Sequence, residues 1–364
     1  MSGPSVVIVG AGLIGLCSAD ALQRRGCEVT VLDARPGPVR GTSFSNSGML
    51  HPSQFRPWVS GISGATGKAD GAAGQAVRDL ARDSLPLLRE RMRALDLRDA
   101  LDRPHGCYQL FDTVEAAQAA QGVFAGDGIR ANVVVHPERT FGRPALYFPD
   151  DRSADARAFG EALAADLAAR GVTFIYEAAG VRLRAQDGGV GVALEDADGG
   201  HRFRAEHVVV AAGVQSAELL EPLGLSLRVE AVRGWAVDFA LPEGTELPPV
   251  PVMDSQSRSA LTVFPDRFRL SGTLGEESAK PLLARWAEII PESLAGAGKP
   301  LSVWSGLRPV SRAGRPFIGE SPVPGLWVNC GHGHLGWTLC MGSGEVLARA
   351  LVDGEPDVRF AYAG

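Results

Sequence analysis

Three glycines and one acid near the start of the chain have the spacing that binding a dinucleotide requires. Gly10, Gly12 and Gly15 form a G-x-G-x-x-G turn, with Asp33 following about twenty residues later. Gly10 permits a tight exit from a strand, Gly12 lets the backbone approach a pyrophosphate, and Gly15 lets the next helix pack close to the sheet. The turn is filled by Ala11, Leu13 and Ile14, whose N–H groups open a helix and face an anion along its positive dipole end. Asp33 can accept hydrogen bonds from ribose hydroxyls, and its charge disfavours a 2′-phosphate.

Two further places carry chemistry. The loop Gly331-His332-Gly333-His334-Leu335-Gly336-Trp337 is expected between a strand and a helix, the arrangement in which backbone N–H groups meet an anion. His332 and His334 lie two apart, so they do not share a helix face; this argues against a metal pair and for loop hydrogen bonds. Arg308 sits between apolar residues and Pro309 on an expected buried strand, and a buried guanidinium needs an anion. That anion is either an internal carboxylate or the carboxylate of a bound substrate held bidentately.

These groups must be carried by regular elements. Val6 to Val9 read as a buried parallel strand, a helical pattern runs from Leu13 to Leu22, and Val29 to Leu32 form the next strand. The small, polar stretch Gly41 to His51 is either a surface connector or a phosphate and ring contact, since short side chains expose backbone N–H groups. Ser60 to Gln75 is linker-like, and a helix with Pro86 inside it is expected from Ala76 to Leu95. Ser153 is placed as the N-cap of a helix from Ala154 to Arg170. A hairpin is expected around Asp187-Gly188-Gly189, and a buried parallel strand from Val208, ending at Ala212 and Gly213. Val229–Val232, Ala236–Phe239, Leu261–Phe264 and Phe268–Leu270 read as short strands of an inserted antiparallel sheet. The last helix is expected from about Thr338 to Leu351.

Bulk properties exclude other classes. A length of 364 residues suggests two domains. The net charge of −6 provides no basic field for nucleic acid. Five cysteines without ligand spacing point to a reduced, cytoplasmic setting and no metal. No apolar run reaches membrane-spanning length, which leaves at most a peripheral contact with a membrane.

The whole chain resembles the FAD-dependent amino acid oxidoreductases of the D-amino acid oxidase superfamily. It is nearest to the D-amino-acid dehydrogenase small subunits, with glycine oxidases and related imino acid oxidases more distant. The resemblance rests on Val7–Asp33, Gly41–Gly48, Tyr108–Phe111, Pro149–Asp155, Val208–Gly213, Gly306–Pro309 and Gly331–Thr338. It implies an α/β fold with a Rossmann-like FAD-binding domain and an inserted antiparallel-sheet substrate domain. Residues 1–50, 148–226 and 321–364 would form the first domain, and 51–147 with 227–320 the second.

The resemblance also implies roles. FAD is the cofactor, and hydride passes from Cα of a free amino acid, most readily a D-amino acid, to flavin N5; the imino acid then hydrolyses to a 2-oxo acid and ammonia. Arg308 would bind the substrate carboxylate and border the ring. Thr42 and Ser43 would lie near the pyrophosphate with Ala34 and Arg35 beyond Asp33, and Val181 near the adenine. Asn46, Ser47, Gly48, Met49 and His51 would lie beside the isoalloxazine, with Gly333, His334, Leu335, Gly336, Trp337 and Thr338 over its pyrimidine edge. His51, His332 and Arg233 are rim candidates. A secondary amine substrate of the proline, sarcosine or opine type stays open, as does a non-catalytic electron-transfer subunit. The electron acceptor (quinone, dye or oxygen) is not readable. Longer relatives carry an apolar segment where this chain has the glycine-rich 61–74, which puts docking at the inner membrane in doubt.

Overall fold

Alternation along the first strand builds two layers at once. In Ser5–Val9, Val6 and Ile8 join one apolar cluster while Val7 and Val9 join another on the opposite side. A strand buried on both faces is the mark of a parallel sheet covered on both sides. The computed structural model describes residues 3–55, 71–97, 103–136, 138–178, 180–186, 189–194, 202–203, 205–244, 246–273 and 277–362. Most of the expected linker and the 187–188 turn lie outside them.

The first sheet has six strands. Its order is Phe317–Glu320, Leu326–Cys330, His207–Val210, Ser5–Val9, Glu28–Leu32 and Thr173–Ile175, all parallel except the first. Helices Leu13–Gln23, Ala156–Ala169, Gly336–Ala348 and Gly71–Ala94 contribute Leu16, Phe159, Leu339 and Leu80 to one core. The helix from Gly71 thus packs on this layer, although the sequence reading assigned it to the substrate unit. The hairpin Val181–Gln186 and Gly189–Leu194 covers the other face through Val181 and Leu183.

The second sheet has eight strands: Ser302–Ser311, Val229–Ala240, Arg267–Gly272, Ser259–Val263, Val252–Asp254, Cys107–Leu110, Pro144–Phe148 and Asn132–Val135. It is antiparallel except where Val252–Asp254 pairs with Cys107–Leu110. One face carries Val237, Phe239, Leu261, Phe268 and Leu270 and packs on Leu282 and Trp286 of helix Lys280–Ile289. The opposite face carries small residues where the strands meet, Gly306, Gly234, Ala236, Ser271 and Ala260. Small residues leave space, and this face looks onto the six-stranded unit.

Three expectations are corrected. The strands Val229–Val232 and Ala236–Phe239 are one twelve-residue strand that passes through Gly234 without a turn. Ser153 pairs with Met49 in a short ladder, and Asp155 caps the helix, its Oδ1 accepting the N–H groups of Arg157 at 2.9 Å and Ala158 at 3.2 Å. The last helix begins earlier than expected, at Gly336; its α-helical part ends at Ala348, and a π-helical turn over Arg349–Asp353 carries it past the expected end at Leu351. Five buried cysteines are free thiols. Among the described residues no helix is long and apolar enough to cross a membrane, and no cluster of His, Cys, Asp or Glu has the makings of a metal site.

Candidate active site

A cavity of about 760 Å³ runs between the two sheets. At one end it is lined by the glycine turn. Gly10 has φ +115°, and a β-carbon there would lie 2.5 Å from the Ala211 carbonyl. A β-carbon on Gly15 would lie 1.8 Å from the Gly10 carbonyl, so the helix is as close to the turn as a backbone allows. Gly12 differs: its missing β-carbon would meet only Ser43 Oγ at 3.4 Å, and the residue lines the cavity. Space is kept there for something other than protein.

Asp33 ends its strand with both carboxylate oxygens in use. Oδ2 accepts the Ala11 N–H at 2.7 Å and Oδ1 the Arg35 N–H at 2.9 Å. The loop from Gly41 is held the same way. Ser43 Oγ accepts the Leu13 N–H at 3.2 Å, Thr42 donates to the Leu307 carbonyl at 2.7 Å, and Asn46 Oδ1 accepts the Gly48 N–H at 2.8 Å. From beneath, Arg269 donates to the Asn46 carbonyl at 2.7 Å while pairing with Asp238 through both carboxylate oxygens.

At the other end stands Arg308. Its Nη1 is buried and has no hydrogen-bond partner among the described residues, while the side chain as a whole faces the cavity and stays partly open. Burial lowers its pKa to about 10. The acids in the cavity wall are Asp33, which is tied to the glycine turn, and Glu218. Of the two partners open from sequence, no internal carboxylate reaches Arg308 among the described residues.

Three histidines border this end. His51 and His334 stand edge to face with ring centroids 5.7 Å apart, and His334 Nε2 meets the Gln54 carbonyl at 2.9 Å. His332 Nε2 meets Ser343 Oγ at 2.7 Å. Burial lowers the pKa of His51 and His332 to about 3 and that of His334 to about 4, so all three are neutral at ordinary pH.

The cavity therefore brings together Gly10, Gly12, Leu13, Ile14, Asp33, Ala34, Arg35, Thr42, Ser43, Asn46, Ser47, Met49 and His51 from the first part of the chain. Val181, Ala212, Gly213, Arg233, Arg308, His332, Gly333, His334, Gly336 and Trp337 join them. Ala11, Gly15, Gly48, Leu335 and Thr338 lie behind the wall instead. Gly48 faces Phe264, and Thr338 Oγ1 accepts the His51 N–H at 3.2 Å. Sequence reasoning missed Gly180, Arg182, Gln215, Gly234 and Trp304 as wall residues. Only Gly234 left a signal, a glycine inside a strand, which marks close approach.

A helix start whose N-cap, Gly12, brings no side chain of its own, open space over that residue and a cation without an internal acid among the described residues suit a long dinucleotide with a reacting ring. The family model of the FAD dependent oxidoreductases (DAO) matches residues 5–350. The chain belongs to this family.

As a member it is an FAD-dependent oxidoreductase. It is 30% identical over 418 residues to a D-amino acid dehydrogenase of Rhizobium johnstonii, covering 97% of each chain. It is 32% identical over 417 residues to one from Methylobacterium sp., covering 97% of this chain and 96% of the relative. Alignments of 418 positions against a 364-residue chain mean that the relative has at least 54 positions with no counterpart here. Among solved structures, glycine oxidase from Geobacillus kaustophilus superposes with a TM-score of 0.78 at 24% identity, over 98% of this chain and 96% of that one. L-proline dehydrogenase from P. horikoshii gives 0.76 at 17%, over 98% and 95%. These likenesses carry the fold.

Proposed function

We infer that this flavoenzyme oxidises the Cα–N bond of a free amino acid, giving an imino acid that hydrolyses to a 2-oxo acid and ammonia. The observation that carries the reading is the buried Nη1 of Arg308, which faces the cavity and has no partner among the described residues. A carboxylate bound there satisfies the guanidinium bidentately.

FAD, when bound, supplies the hydride acceptor. The chain's own residues orient and exclude. Gly10, Gly12 and the N-terminus of helix Leu13–Gln23 would hold the pyrophosphate, Asp33 the ribose, and Val181 the adenine. The loops at 46–51 and 333–337 would hold the ring, and the dipole of helix Gly336–Ala348 would favour negative charge on it. Arg308 fixes the carboxylate and so leaves Cα–H one approach to the ring; positioning of this kind supplies much of the rate. The neutral His51 and His334 provide polar surface without a strong base, which fits an amine that is already neutral when hydride leaves. The six-stranded unit serves as the cofactor domain and the eight-stranded sheet as the substrate domain.

Preference for the D enantiomer rests on the names of the relatives. The free thiols suit a cytoplasmic enzyme. Incubation of the purified yellow protein with D- and L-amino acids, with oxygen or a dye as acceptor, tests the reading. A 2-oxo acid and ammonia in equal amounts are expected; reduction of neither acceptor by any amino acid would refute it.

A further inference from the structure

On the strand Ser302–Ser311, residues 304, 306 and 308 point to the cavity face. Across the ladder, Ala236, Gly234 and Val232 stand opposite them in register. The middle pair is glycine against glycine, and the large side chains on either side both lean onto it. A β-carbon on Gly234 would lie 2.0 Å from Arg308 Nη1 and 2.4 Å from its Cζ. A β-carbon on Gly306 would lie 2.1 Å from Cη2 of the Trp304 indole. Directly opposed β-carbons of an antiparallel pair are about 5 Å apart, so guanidinium and indole lie side by side on one glycine floor. Phe44 supports the indole from another side, at 6.1 Å between ring centroids.

We propose that this pair of flat groups is the substrate's two-point receptor: Arg308 takes the carboxylate, and the face of Trp304 takes a large apolar or aromatic side chain. The inference rests on the amino acid reading above and names its substrate class. Two bonds separate a carboxylate carbon from the first side-chain carbon, so a substrate gripped by Arg308 carries its side chain toward the neighbouring indole. The floor around them, Gly234, Gly306, Ala236 and Ser271, bears no charge, and Arg233 of the same wall is engaged with Ser305 Oγ at 3.1 Å. Gly234 acts as a positioning residue, because any β-carbon there displaces the guanidinium.

Calorimetric titration of the FAD-loaded protein with acetate and with phenylacetate tests this without turnover. Phenylacetate is expected to bind at least about tenfold tighter than acetate, as burying an aromatic ring implies. Trp304→Ala should remove that advantage while leaving acetate within about threefold, Trp304→Phe should restore most of it, and Gly234→Ala should weaken both ligands about tenfold or more. Equal binding of the two acids to the wild type, or a Trp304→Ala loss shared equally by both, would overturn the receptor while leaving the carboxylate site at Arg308 standing. If neither acid binds the wild type, the amino acid reading falls together with the receptor. Flavin absorption and circular dichroism of each variant show whether it has folded.

Discussion

Asp33 Oδ2 accepts the N–H of Ala11 at 2.7 Å, tying the acid at the end of one strand to the glycine turn at the end of its neighbour. The same carboxylate thus holds the turn in shape and remains at the cavity wall.

Gly12 and Gly15 should respond differently to substitution. Gly12→Val places its side chain in the cavity and meets only Ser43 at the β-carbon, so a folded, colourless protein is expected. Gly15→Ala forces a β-carbon into the Gly10 carbonyl and should yield little folded protein at all. Flavin absorption per mole of soluble protein checks both; a fully yellow Gly12→Val protein would contradict the placement of the cofactor.

Arg308→Met should raise KM for the amino acid by about a hundredfold or more, the scale of losing a buried charge-assisted pair, while the flavin stays bound. Steady-state kinetics on the yellow variant decide this, and an unchanged KM would return Arg308 to a structural role.

Burial raises the Asp151 carboxyl to about 7, despite two hydrogen bonds from Ser53 that favour the charged form. The unfolded value is about 4, so the folded chain holds this proton more tightly. The stability it contributes is complete below about pH 4 and is lost as pH rises through about 7. Asp151→Asn removes the titration, so between about pH 5 and pH 8 its melting temperature should fall less than that of the wild type. Parallel curves would show that Asp151 does not titrate there.

Arg269→Met strands the Asp238 carboxylate and releases the Asn46 carbonyl. A loss of about 2–3 kcal/mol is expected, below the usual cost of breaking a buried pair because Arg267 still faces Asp238 at 3.4 Å. Denaturant unfolding measures the loss, and weaker flavin retention should accompany it.

The six-stranded half of the fold was legible because its signals are local. The β-branched run Val6–Val9, the glycine spacing and the terminal Asp33 lie within thirty-odd residues and reinforce one another. What escaped depends on partners far along the chain. Gly234 interrupts an apolar alternation and reads as a break, yet the strand continues because Arg308, more than seventy residues later, fills the space above it. Ser153 and Asp155 are both good caps, and only the pairing of Ser153 with Met49 leaves the role to Asp155. The helix Gly71–Ala94 has an apolar stripe that suits either layer; the helix from Gly336 claims it, with Gly342 in contact with Leu80 and Ser84.

The most direct measurement is anaerobic mixing of the yellow protein with single amino acid enantiomers while the visible flavin band is followed. A D-amino acid is expected to bleach the band to the reduced form, and Arg308→Met to bleach only at concentrations about a hundredfold higher. Bleaching by no amino acid, or equal bleaching of wild type and Arg308→Met at the same concentration, would contradict this expectation.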